Sequence, residues 1–457
     1  MIKNKHISKI FILFLCVHAF LWVLIPSISN QNLPLDTIEA LAWGSNLDWG
    51  YTKHPPLSAF LAEFFFQLFG AQDWAYYLLS QICLLASFIF VWKLSNEFLK
   101  NKVFSLISVL LLEGIFFYNF TSPEFNVNIC QLPFWSMAVY YCWRSIEYNK
   151  NFDWIIFGLV SALGFLSKYL FIYLLLSLSI FFIFKIINKK KFNIKYLIPI
   201  GIMFIILFPH FMWLKENNFS SIIYGLQRSG LNNASLVDHV LNPIFFFIKQ
   251  VGVLLPSIII FLFIVNKVKI KISIKDKKTF FLIVVNFLPL ILIFLTSMLT
   301  GGKIRTMWMT PFYLFFGVMV VYLFKKEINL KKFNKFVSIF LFFFILSPSV
   351  YLYISLSQNN KRTDYPGKEI AYLVQEKWNK NFNNEINIIV GDEWAGGNLS
   401  YHLASRPKWF NDLKNNITDI KPESGFVYIG NPNILKKICP GVYGTIRPIG
   451  VCMIGRK

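Results

Sequence analysis

Acid is scarce in this chain beside base: 23 Asp and Glu stand against 45 Lys and Arg in 457 residues. Charge of both signs makes up only 15% of the residues, while 56% are hydrophobic. A soluble domain of this size cannot hide so much apolar surface and still build a polar shell, so a water-soluble fold is excluded. The net charge of +22 would suggest nucleic acid in a soluble protein. Here the positive residues fall in short segments between apolar runs, where they orient helices, and nucleic-acid binding is the weaker reading. Six cysteines, scattered along the chain, exclude a disulfide framework. Cys16, Cys83, Cys130 and Cys142 lie in apolar runs as small hydrophobes. Cys439 and Cys452 share a polar tail and can bridge if that tail meets an oxidising compartment. No small-residue cleavage pattern follows the basic start and its apolar stretch, so the first segment is expected to be an uncleaved helix. No internal repeat is evident, which argues against a transporter.

What is present is a series of long runs rich in Phe, Ile and Leu, each about long enough for the ~30 Å hydrocarbon core. In lipid the backbone must satisfy its own hydrogen bonds, so these runs are expected to be helices. Eleven spans are read: Ile10–Ile25, Ala75–Leu94, Val103–Tyr118, Val127–Trp143, Trp154–Leu166, Leu170–Ile187, Tyr196–Leu214, Ile244–Val265, Phe280–Thr300, Met307–Phe324 and Phe336–Leu356. Connecting segments alternate. Basic clusters occur at Lys3–Lys9, Lys93–Lys102, Arg144 with Lys150, Lys185–Lys195, Lys267–Lys278 and Lys325–Lys335. The opposite set holds only Lys53, Lys168, Lys215, Arg228, Lys303 and Arg305. By the positive-inside rule the rich set and the N-terminus are cytoplasmic. Parity then makes Trp154–Ile187 two short helices with Lys168 at the outer turn, and puts the tail outside. The expected organisation is a transmembrane domain over 1–356, with a first outer loop at 27–74, followed by a periplasmic α/β domain over 357–457. Within the loop, Leu57–Phe69 suits a helix lying in the interface plane. In the tail, Ile386–Val390 and Phe426–Ile429 read as buried strands, with Gly391, Gly396 and Gly397 punctuating a turn into a helix.

Sorted by side, the ionisable residues that are not cytoplasmic flanks gather outside. Asp36, Glu39, Lys53 and His54 are in the first loop, and Glu124 is in the turn Thr121–Glu124. Lys168, Arg228, Asp238, His239, Lys303 and Arg305 follow in later outer segments. Such groups at a membrane edge are costly unless paired or hydrated, which makes them site candidates. Outside the cytoplasm nucleotide-sugars are not supplied, and a polyprenyl-phosphate sugar flipped across the bilayer fits both compartment and scaffold. Transfer from it needs a carboxylate to take the acceptor's proton and cations to neutralise the departing phosphate. Asp36 with Glu124 can supply the first, and Lys53, His54, Lys168, Arg228 and Arg305 the second. Plainer roles compete. Asp36 follows Pro34 and reads equally well as a helix cap, with Glu39 completing it. Lys53, Lys303 and Arg305 each read alone as headgroup anchors. His54 and His239 lack a clear third ligand for a metal. His18 and His210, inside apolar runs, read as hydrogen-bonded core residues, and Asp392-Glu393-Trp394 as structural.

Leu35-Asp36-Thr37-Ile38-Glu39, then Trp49-Gly50-Tyr51-Thr52-Lys53-His54-Pro55-Pro56-Leu57, resembles the first outer loop of GT-C glycosyltransferases. The likeness is to the lipid A aminoarabinose transferase and dolichyl-phosphate-mannose-protein mannosyltransferase-like group. Ser122-Pro123-Glu124 resembles that family's second acidic position; Gly164–Tyr169, Gly301–Pro311 and Thr363–Gly367 are similar to bacterial members. The resemblance implies a GT-C-like bundle of about eleven helices in the bacterial inner membrane. It implies inverting transfer of a sugar from a polyprenyl-phosphate donor to a lipid A or lipopolysaccharide-type acceptor, with a protein acceptor as the alternative. Asp36 would be the general base, Glu124 and Glu39 further acids, and Lys53, His54, Lys168, Arg228, Lys303 and Arg305 would face the donor phosphate. The chain departs from the pattern in two places: Glu for the commoner Asp at 124, and His for the aminoarabinose transferases' Lys before Pro-Pro. The sugar is therefore unassigned. Some members use a divalent metal ion, whose ligands are not matched here.

Overall fold

The computed structural model describes residues 4–189, 192–230, 234–268, 272–412, 421–446 and 449–457. Lys3, Lys190, Lys191, Lys269 and Lys271 of the basic clusters lie outside the described residues. The helices run α1 (Asn4–Ser29), α2 (Leu35–Gly44), α3 (Leu57–Phe69), α4 (Asp73–Leu99), α5 (Lys102–Leu110), α6 (Val127–Tyr148), α7 (Asn151–Ser167), α8 (Ile172–Lys189) and α9 (Leu197–Glu216). They continue as α10 (Ser220–Arg228), α11 (Asp238–Leu262), α12 (Lys277–Thr300), α13 (Phe316–Leu323), α14 (Phe333–Ser357), α15 (Gly367–Asn379), α16 (Glu393–His402) and α17 (Pro432–Ile438).

Among the described residues seven helices are long and apolar enough to cross a bilayer: α1, α4, α8, α9, α11, α12 and α14. Two short pieces, Thr306–Tyr313 and α13, bent by 50° at their junction, make an eighth if counted as one span. The other expected spans are less regular, so helix length alone does not establish eleven. Val103–Tyr118 is broken: α5 stops at Leu110 and two 3₁₀ turns follow, Leu111–Gly114 and Phe116–Tyr118. There the Asn119 side-chain amide donates to the Glu113 carbonyl at 2.6 Å, which satisfies backbone that a continuing helix would have paired. α6 is long enough but buries Asn128, Gln131 and Ser136, and α7 has only 17 residues. Across the turn between them, Arg144 Nε of α6 donates to the buried carboxylate of Asp153 in the first turn of α7 at 2.9 Å.

Sorting by side passes over residues inside the spans. Glu113 and His18 are both buried, with Oε1 and Nδ1 2.6 Å apart though not aligned as a hydrogen bond. Glu113 also lines, with Lys249, an apolar cavity of about 480 Å³ between α11 and α14. Ionisable groups are thus not confined to the membrane edge.

The C-terminal region carries one five-stranded sheet in the order β2 (Lys408–Phe410), β1 (Ile388–Val390), β3 (Phe426–Gly430), β5 (Ile449–Ile454), β4 (Val442–Ile446). β1 pairs parallel with both β2 and β3, while β5 pairs antiparallel with β3 and β4. The two strands expected from sequence are β1 and β3, neighbours in register Ile389 to Val427. Gly391 does end β1, but Gly396 and Gly397 are inside α16. They are small for packing: a Cβ on Gly396 would come within 2.7 Å of Trp409 Nε1, and one on Gly397 within 2.9 Å of the Ile38 side chain. Cys439 and Cys452 form a disulfide that ties the end of α17 to β5.

This sheet domain docks on α2 and α3. Arg406 donates to the Leu41 carbonyl and to Glu63 Oε2, each at 2.7 Å. Trp409 N–H donates to Ser45 Oγ at 2.8 Å, and Tyr401 O–H to Asp73 at 2.7 Å. α2 is thereby held between the helical bundle and the sheet domain.

Candidate active site

α2 starts because Pro34 sets an extended N-cap that needs no N–H of its own. Asp36 lies in the first turn, where the helix dipole favours an anion. The N-cap is Pro34, so Asp36 stands inside the first turn and is not itself the cap. Its backbone N–H donates to Glu124 Oε1 at 3.2 Å. Glu124 is held by the turn ahead of α6: Asn126 caps that helix by accepting from Asn128 N–H at 2.9 Å, and Thr37 Oγ1 donates to the Phe125 carbonyl at 3.0 Å. Glu39, one turn on from Asp36, completes no cap either; it accepts from Lys53 Nζ at 2.8 Å.

The loop carrying Lys53 and His54 is fixed by a tight turn, with Tyr51 N–H donating to the His54 carbonyl at 3.0 Å. A Cβ on Gly50 would meet the Trp213 ring at 2.3 Å, so only glycine lets α9 approach. Trp213 Nε1 donates to Asp48 at 2.8 Å, and His210 bridges the Trp49 carbonyl at 2.6 Å and Tyr169 O–H at 2.9 Å. His210 is thus the hydrogen-bonded core residue expected. Lys168 ends α7 in an extended conformation. Its buried ammonium donates to Asn128 Oδ1 and sits 5.3 Å from the Trp308 ring centre.

Asp36, Glu39, Trp43, His54 and Ser58 line one small cleft. Burial pushes the Asp36 carboxyl above its ordinary range, opposed by the charges of Lys168, Lys53, Arg362 and Arg228. Burial and then the Asp36 charge raise Glu124, and burial and then Glu393 raise Glu39. At neutral pH the acids therefore hold protons between them and leave fewer negative charges than carboxyl groups. Burial, with Lys168 and Lys53 nearby, lowers His54 to about 3. This amends the expected role: His54 is a neutral imidazole that can donate one N–H, not a cation. Burial lowers Lys168 to about 7, with Asp36 pulling it back up. Burial also opposes the charge on Lys53, but hydrogen bonds to Glu39 and Glu393 outweigh it and the net shift is upward.

The remaining expected cations stand apart. Arg228, Lys303 and Arg305 are exposed. Arg228 is near enough for its charge to act on Asp36. Among the described residues no side-chain hydrogen bond or ion pair joins Lys303 or Arg305 to the cleft. Two residues were not legible as site members. Arg362, in the turn after α14, acts by charge on both Asp36 and Glu124. Glu393 reaches from α16 to Lys53 and accepts from Trp43 Nε1 at 3.1 Å, while its neighbour Asp392 is the helix cap and is structural as expected. The only sequence signal for Glu393 was an acid at a strand-to-helix turn.

A resident divalent metal does not fit. Among the described residues no group of three His, Cys, Asp or Glu side chains converges. The carboxylates of Glu39 and Glu393 already close on the Lys53 ammonium, and His239 Nδ1 contacts the Met298 carbonyl at 2.9 Å.

Residues 53–213 match the model of the family described as dolichyl-phosphate-mannose-protein mannosyltransferase. No curated protein matches the chain. Among solved structures, the crystal structure of ArnT from Cupriavidus metallidurans bound to undecaprenyl phosphate is similar, with a TM-score of 0.64 at 12% identity over 98% of each chain. The apo form of the same protein gives a TM-score of 0.63 at 11% identity, again over 98% of each chain. The polypeptide here has the GT-C glycosyltransferase fold, with multiple membrane helices and a C-terminal sheet domain.

Proposed function

We propose that this GT-C-fold membrane protein is an inverting glycosyltransferase. It moves a sugar from a polyprenyl-phosphate donor to an envelope glycolipid of the lipid A or lipopolysaccharide type, on the periplasmic face of the bacterial inner membrane. One observation carries the reading: a first-turn acid, Asp36, lines a cleft with Glu39 and His54, has its backbone N–H held by Glu124, and lies within the field of buried Lys168. The similarity of the fold to a protein crystallised with undecaprenyl phosphate supports the donor class. The Cys439–Cys452 disulfide supports an oxidising compartment for the C-terminal domain.

In this reading an acceptor hydroxyl attacks the anomeric carbon, and Asp36 takes the hydroxyl proton as the new C–O bond forms. The bond from that carbon to the phosphate oxygen breaks, and its electron pair leaves with the polyprenyl phosphate. Lys168 and Lys53 neutralise the departing charge and His54 donates an N–H to it. An incoming phosphate draws Lys168 back to its charged form, because an anion beside an ammonium favours the proton. Arg228, whose charge already acts on Asp36, and the exposed Lys303 and Arg305 attract the anionic donor. Glu39 and Glu124, with raised proton affinities, keep the cleft from accumulating negative charge.

The alternative acceptor is a protein hydroxyl, which the family match over residues 53–213 favours. Purified protein in sealed proteoliposomes, given a labelled polyprenyl-phosphate sugar with glycolipid or peptide acceptors, separates the two by the labelled product. Label crossing the bilayer with no product formed would point to a transporter and overturn the reading.

A further inference from the structure

The contact between the sheet domain and the first loop is more than docking. Asp392 caps α16, accepting from the N–H groups of Trp394 and Ala395 at 3.0 and 2.9 Å, and so sets Glu393 at the first helical position. From there the Glu393 carboxylate leaves its own domain. One oxygen meets Lys53 Nζ and the other accepts from Trp43 Nε1 at 3.1 Å. Lys53 is held from its other side by Glu39 at 2.8 Å. Trp43 and Glu39 both line the cleft that contains Asp36 and His54. A lysine side chain carries about 2 kcal/mol of rotamer entropy, and a loop lysine would ordinarily spend its time in many positions. Here two carboxylates, one from each domain, fix one ammonium at the edge of the cleft.

Docking of the domain does not depend on this contact. Arg406 on Leu41 and Glu63, Trp409 on Ser45, and Tyr401 on Asp73 hold the two parts together elsewhere. We propose that Glu393 is a positioning residue: from the C-terminal domain it holds the Lys53 ammonium where the departing phosphate develops its charge. This rests on the donor reading given above. Removing the Glu393 charge takes a negative group away from an anionic donor, so ground-state binding does not weaken. What is lost is the fixed placement of Lys53, which matters in the transition state.

The test uses the full-length protein in nanodiscs with a labelled polyprenyl-phosphate sugar. Glu393→Gln keeps the size and an acceptor for Trp43. It is expected to lower kcat about tenfold with the donor KM unchanged or lower, and with unchanged melting temperature. In a Lys53→Met background the same substitution is expected to cost nothing further. A second readout is independent of transfer: Lys53 should react with an amine-directed acylating reagent about tenfold faster in Glu393→Gln than in the wild type. An unchanged kcat, an equal loss in the Lys53→Met background, or an unchanged rate of Lys53 modification overturns the proposal. If the wild type transfers no sugar, it is the functional reading that fails, and the modification rate still decides this one.

Discussion

Single side chains carry the chemistry, and their protonation gives a direct test. Asp36 must be unprotonated to take a proton, and burial lifts its pKa, so activity rises with pH along a limb displaced above the ordinary carboxylate range. Lys168 must be protonated to neutralise phosphate, and it is lowered to about 7 in the empty cleft. Thus kcat/KM, which reports the free enzyme, should fall as pH rises through about 7. The kcat limb, read in the complex, should lie higher because bound phosphate restores the proton. In Lys168→Met the alkaline limb of kcat/KM should vanish and kcat should drop on the order of 10²-fold. A limb left in place would remove Lys168 from the donor site. Legibility at this scale followed backbone punctuation. Asp36 and Glu124 each stand within two residues of a proline at an element edge; Asp36 lines the cleft, and Glu124 accepts its backbone N–H. Glu393 and Arg362 reach the same place through chain folded far from it in sequence, and no local pattern announces that.

The elements are as informative where they break as where they run. Long apolar helices such as α4 and α12 are visible as runs of one composition. The interruption after α5 and the bend before α13 are not, because tertiary contacts decide where a backbone leaves the helix. The tight loop before α3 depends on Gly50 lying against Trp213. Gly50→Ala should cost about 1–3 kcal/mol by overpacking and displace Lys53 and His54, read as a lower melting temperature with lost transfer. Asn126→Ala removes the α6 cap and should cost about 1 kcal/mol, with a rise in donor KM because Glu124 sits beside that cap. Normal kinetics in both variants would show that these turns do not set the cleft.

For the molecule as a whole, the class was legible from composition, whereas the docking of the sheet domain on α2 was not. Alternation of basic and neutral segments suggested which side each loop faces, but it says nothing of which surfaces meet. Glycines at 396 and 397 read as a turn because glycine is common there; in the fold they let α16 approach α2 and β2. The disulfide gives the orientation a separate test. In intact cells Cys439 and Cys452 should resist thiol labelling until a reductant is added, and Cys439→Ser should destabilise the sheet domain by about 2–4 kcal/mol. Free thiols at both positions in untreated cells would place that domain in the cytosol.

The central claim is that this protein breaks a sugar–phosphate bond of a polyprenyl-phosphate donor with Asp36 as base. The most direct measurement is single-turnover transfer by wild type and Asp36→Asn, matched for melting temperature and for binding of undecaprenyl phosphate. The account predicts labelled glycolipid from the wild type and a loss of about 10²–10⁴-fold in the variant with binding retained. Equal turnover by the two proteins would contradict it.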